Sequence, residues 1–107
     1  MIPMVRTQTG TGTSSPAVYN IFENPFNVGI GCVVTGTVNY TVQHTFNDII
    51  NLGAGSCTWF NHDNADLVSA TTNQNDNYAY PITASQVVVN SGTGSVAVTF
   101  IQAGLVR

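Results

Sequence analysis

Charge is what this sequence has least of. Its 107 residues include no lysine, and the only two basic residues, Arg6 and Arg107, stand against Glu23, Asp48, Asp63, Asp66 and Asp76. Charged residues make up 7% of the chain, where about a quarter is usual. Phosphate binding needs clustered lysine and arginine, and two arginines far apart in sequence form no local patch, so a nucleic-acid partner is not expected. A surface with so little charge repels its own copies weakly, which favours a homo-oligomer. Long apolar runs are missing too: nothing approaches the ~18 residues of a membrane span. The opening "MIPMVRTQTG" lacks a charged region followed by a long apolar stretch, so neither a membrane segment nor an export leader is expected. Cysteine is limited to Cys32 and Cys57. Their spacing has none of the near-neighbour pairs of a zinc site. Without an export signal two reduced thiols are the expectation, with a disulfide left open.

What the chain does have is alternation. Hydrophobic residues are 43%, and the length suits one domain with one core. "FNVGIGCVV" puts Phe26, Val28, Ile30, Cys32 and Val34 on one face, and "VNYTVQHTF" does the same with Val38, Tyr40, Val42, His44 and Phe46; period two is the signature of a strand. "AVYNIF", "CTWF" and "YAYPI" read as further extended segments, and "DIINL" and residues 65–70 as helical turns. "ASQVVVN" and "SVAVTFIQ", joined by Ser-Gly-Thr-Gly, read as a hairpin. Residues 16–107 are therefore expected to form a single antiparallel β-sandwich, jelly-roll-like or a partly closed barrel. Residues 1–15 read as an extended N-terminal arm, with a short apolar head of Met1, Ile2, Met4 and Val5 before an aperiodic Thr/Gly/Ser run. Those four residues are the candidate interface, expected to pack on another subunit or add a strand to it. Deleting residues 1–12 is then expected to leave a folded domain that no longer docks.

Few residues invite chemistry. His44 sits on an apolar strand face with no acid nearer than Asp48, which fits a half-buried core-edge imidazole better than a catalytic base. No nucleophile elbow marks a serine or cysteine partner. In "WFNHDNAD", Asn61, Asp63 and Asp66 around His62 offer oxygens for a cation, but the glycine and distal glutamate of a calcium loop are missing. Asp63 and Asp66 are weak candidates for a hydrolytic carboxylate pair, since nothing marks an apolar pocket to separate their roles. Trp59, Phe60, Tyr78 and Tyr80 flank the long polar insertion, as a sugar-stacking platform or, more simply, as anchors of the loop on the sheet. The sequon Asn39-Tyr40-Thr41 falls inside a strand and is discounted. No catalytic residue, metal or cofactor is assigned, and an enzyme is not expected.

Three strings together resemble a known group: "NPFNVGIGCVVTGTVNYTVQHTFND", "TWFNH" and "NYAYPITASQVVVNSGTGSVAVTFIQAG" are similar to small virion structural proteins of tailed bacteriophages. The resemblance covers about Asn24 to Gly104. It implies a particle component, a capsid decoration (cement) protein that binds the major capsid protein or other virion proteins and leaves the host cytoplasm inside the virion. The alternatives are a tail or collar component, or a sugar-binding or host-contact module displayed on the particle.

Overall fold

Two arches carry the fold. The computed structural model describes residues 3–22 and 26–102. Among these residues the strands are β1 (Met4–Thr9), β2 (Gly12–Thr13), β3 (Ala17–Val18), β4 (Val28–Thr35), β5 (Val38–Thr45), β6 (Trp59–Asn61), β7 (Gln74–Tyr78), β8 (Ala84–Gly92) and β9 (Ser95–Gln102), with one helical turn, α1 (Ile49–Leu52), and 3₁₀ turns at Ala54–Ser56 and Ala65–Leu67. They make two antiparallel sheets, one in the order β1-β9-β4-β7 and the other β2-β8-β5-β6, with β3 also on β8. The all-β sandwich expected from the alternation is what the chain forms. Between the sheets lie Val28, Ile30, Tyr40, Val42, Val87, Val89, Val96, Val98 and Phe100, all buried. No helix among the described residues is long and apolar enough to cross a membrane.

The Ser-Gly-Thr-Gly segment does not close a hairpin. β8 pairs with β5 and β9 pairs with β4 over its whole length, so the 92–94 turn carries the chain from one sheet to the other. The 35–37 turn between β4 and β5 does the same. These two arches stack backbone on backbone: Gly94 donates its N–H to the Thr37 carbonyl at 3.0 Å, and Gly10 donates to the Gly94 carbonyl at 2.9 Å. Gly36 and Gly92 have φ of 80° and 103°, and a Cβ on Gly92 would collide with the Thr37–Val38 backbone. Glycine is required there by both conformation and space.

The N-terminal segment also departs from expectation. Residues 4–14 belong to the sandwich and are not a free arm. β1 pairs with β9 from Met4↔Phe100 to Thr9↔Ser95, and β2 pairs with Val88 and Val89 of β8. Ser14 continues this by exchanging bonds with Val87, its N–H donating to the Val87 carbonyl and its Oγ accepting from the Val87 N–H. The Arg6 Nε donates to the Pro16 carbonyl at 3.2 Å. Met4 packs against the core while Val5 points outward; Met1 and Ile2 lie outside the described residues. The segment looked aperiodic because backbone pairing, and not an apolar face, holds most of it. β7 is polar for the same reason: Gln74, Asn75, Asp76 and Asn77 pair with β4 before Tyr78 turns into the core.

Candidate functional site

β5 carries His44 onto the inner face of its sheet, opposite Phe60 of β6 and Ser85 of β8. Only 3% of the residue is exposed. Its Nδ1 lies 3.0 Å from the Tyr78 hydroxyl and its Nε2 3.4 Å from that of Tyr80. Tyr80 gives its own proton to the Asp63 carboxylate at 2.9 Å, so towards His44 its oxygen can only accept. Nε2 therefore carries the imidazole proton, and Nδ1 is left to accept from Tyr78. The ring stacks on Phe60 at 5.9 Å and meets Phe46 edge-on at 5.4 Å. Burial lowers the His44 pKa below its ordinary value, with Asp63 pulling it up and His62 adding to the fall. Burial pushes the Tyr78 phenol far above its usual range, and burial with the Asp63 carboxylate pushes Tyr80 up to about 12.

His62 is as fully engaged. Its Nε2 donates to the Asn77 carbonyl at 3.0 Å, and its Nδ1 accepts from the Asn64 N–H at 3.0 Å. The oxygens that might have met around a cation go to separate partners. Asn61 accepts from Gln43 and Asp63 from Tyr80, while Asp66 is exposed and donates its backbone N–H to the Asn64 side chain; nearby, Asp76 accepts from the Asn64 side chain and the Asn77 N–H. Burial works to raise the Asp76 pKa, but those two donors hold it below the ordinary carboxylate value. Among the described residues no three His, Cys, Asp or Glu side chains come together as a metal-binding group. Neither histidine is hydrogen-bonded to a serine or cysteine, and Ser85 is taken by the Tyr19 hydroxyl. Cys32 and Cys57 are free thiols; burial pushes Cys32 up to about 11, away from nucleophilic reactivity.

Of the aromatics around the insertion, Tyr78 and Tyr80 anchor it, through the core and through Asp63. Tyr78 is fully buried, and Trp59 donates its Nε1–H to the Ala54 carbonyl at 3.0 Å. Asn39 lies inside β5 and accepts from Asn90.

What the sequence reading missed is an apolar end. Val18, Ile21, Phe46 and Ile50 line one groove of about 450 Å³ with Tyr19, Ile49 and Thr83. Exposure there is high, at 88% for Phe22, 77% for Ile50, 53% for Phe46 and 48% for Phe60. Phe60 contacts Phe46 at 5.8 Å. β9 finishes beside this end, where Gln102 bonds Asn20 through both side-chain heteroatoms. Of the other exposed large hydrophobics among the described residues, Val5, Val33 and Ile101 lie on the outer face of the β1-β9-β4-β7 sheet. The end is built where β4 and β8 begin and β5 and β9 finish, opposite the two glycine arches. A signal existed in "DIINL": Ile50 and Leu52 are apolar residues on a turn with no core face to fill. The sequence matches no protein-family model and no curated protein.

Proposed function

We propose that this chain is a non-enzymatic virion structural protein of the capsid-decoration type, which binds between neighbouring shell subunits through its apolar end. The concentration of exposed apolar side chains at that one end carries the reading, because a monomer has no reason to gather them and such patches mark interaction sites. Full burial of one Leu-, Ile- or Phe-sized side chain contributes roughly 1.5–3 kcal/mol, so several together can offset the cost of association. The rest of the surface suits repeated neutral contacts, with Asp48 the only charge lining the groove and already bonded to Asn51. The resemblance of residues 24–104 to phage virion proteins supplies the setting. A displayed sugar-binding role draws less support, since Tyr78 is buried in the core and the Trp59 N–H is taken by the Ala54 carbonyl.

Co-sedimentation with particles lacking the protein tests this. Ile50→Asp and Phe46→Asp are expected to leave the circular dichroism unchanged and to weaken binding by about a hundredfold or more, a loss of roughly 2.7 kcal/mol. Wild-type binding is expected to change by less than about tenfold up to about 0.5 M sodium chloride, because screening acts on charges and this contact has few. Undiminished binding by both variants overturns the reading. A copy number of about a dozen or fewer per particle would move the protein to the tail or collar.

A further inference from the structure

The chain's two histidines hold the same piece of structure, and both hold it through an unprotonated nitrogen. Residues 62–80 cross from β6, at the edge of one sheet, to β7, at the edge of the other, and continue to Tyr80. His62 fastens the start of this crossover: its Nδ1 accepts the Asn64 N–H and its Nε2–H reaches the Asn77 carbonyl on β7. His44 fastens the end: its Nδ1 accepts the buried Tyr78 hydroxyl, and its Nε2–H points at Tyr80, which is itself bonded to Asp63 in the crossover. We propose that His44 and His62 form an acid-releasable latch, in which protonation at Nδ1 undoes these fastenings and loosens the two ends of the crossover, around Asn64 and over residues 74–80, while Leu67 and Ala70 keep its middle on the core and the remaining sandwich stays folded.

The polarity of the bonds carries this. A proton on His62 Nδ1 would face the Asn64 N–H, donor against donor, and that bond cannot survive. A proton on His44 Nδ1 would make Tyr78 the acceptor and leave its hydroxyl proton to find another partner. Tyr78 is 1% exposed, and His44 is the hydrogen-bond partner of its hydroxyl. A buried polar group without a partner is costly, so displacement of the Tyr78 end of the crossover is the relief.

The surroundings of the pair set the balance. From the crossover and β7, the carboxylates Asp63 and Asp76 and the phenols Tyr78 and Tyr80 face the two rings; from β6 comes Phe60, from just beyond β5 Phe46, and from β8 Ser85 with Tyr19 bonded to it. At His44 burial opposes charging and prevails over the Asp63 carboxylate, which favours it. Both rings stand against Tyr78, at ring distances of 4.9 and 4.5 Å, and His62 adds to the opposition at His44. The latch is thus closed while both Nδ1 atoms accept, and acidification opens it.

The test is nitrogen-15 NMR of the full chain from pH 7.5 to 4.5, read together with amide hydrogen exchange corrected for its intrinsic pH dependence. At pH 7.5 both rings are expected as the Nε2–H tautomer. Between pH 6.5 and 4.5, exchange at Asn64 and across residues 74–80 is expected to rise at least about tenfold relative to β9. Combining His44→Gln with His62→Gln is expected to abolish that rise. If the double variant does not fold, the wild-type tautomers and exchange still decide. An Nδ1–H tautomer on both rings at neutral pH, rings that stay neutral throughout, or unchanged protection of residues 74–80 while both rings titrate would each overturn the latch.

Discussion

His44 shows how much one side chain's environment decides. Its folded pKa lies below that of the unfolded chain, so on acidification the unfolded state takes up the proton first. The contribution of this residue to stability is whole above about pH 7.5, declines as pH falls through the ordinary histidine value of about 6.5, and stops declining below the folded pKa. Urea midpoints at pH 7.5 and 5.5 should show the decline, and His44→Gln should flatten it even if that variant is less stable at both values. A second residue-scale expectation concerns packing. Phe100 is fully buried between the sheets, edge-on to Tyr19 at 6.3 Å. Phe100→Ala should cost about 3–5 kcal/mol in chemical denaturation, through lost transfer energy and the cavity left behind.

At the scale of elements the arches matter most, because they decide that β4–β5 and β8–β9 bridge the sheets. Gly92→Ala places a Cβ at positive φ against the Thr37 backbone and should destabilise by roughly 1–3 kcal/mol. Gly31→Ala provides the contrast. This position lies mid-strand in β4, with nothing near a new Cβ and no positive φ. The change there should be neutral or stabilising by about 0.5–1 kcal/mol, since alanine loses less entropy in a strand. Paired thermal melts of the two variants measure the difference, and equal effects would mean that the close backbone contact at the arch costs nothing.

For the whole molecule, the N-terminal strand is a structural member. Removing residues 1–12 deletes β1, the outer partner of β9, and Gly12 of β2, and it uncovers core beside Met4. The truncated chain is expected to lose its cooperative melt and to aggregate on size-exclusion chromatography, since an unpaired apolar edge invites association. A folded, monomeric 13–107 fragment would return residues 1–12 to the role of a dispensable arm. The same scale separates the two ends of the sandwich: the glycine arches are closed by backbone contacts, and the opposite end leaves its apolar side chains uncovered.

Sequence by itself determined the fold class and the central strands. Val28, Ile30 and Cys32, or Val96, Val98 and Phe100, recur at period two, and an apolar face at that period has to be buried whatever lies opposite. The near absence of charge likewise follows from composition alone. Alternation says that a face is buried but not against which sheet, so the same pattern in β8 and β9 served a hairpin and an arch equally well. β1 and β7 were illegible because their pairing lies in backbone N–H and C=O groups, which every residue but proline carries. The Tyr78–His44–Tyr80–Asp63 chain joins three separate stretches, and no local spacing signals it. The apolar end is a tertiary result too: Val18, Ile21, Phe46 and Ile50 become one surface only when the ends of β3 and β5 and the α1 turn are brought together.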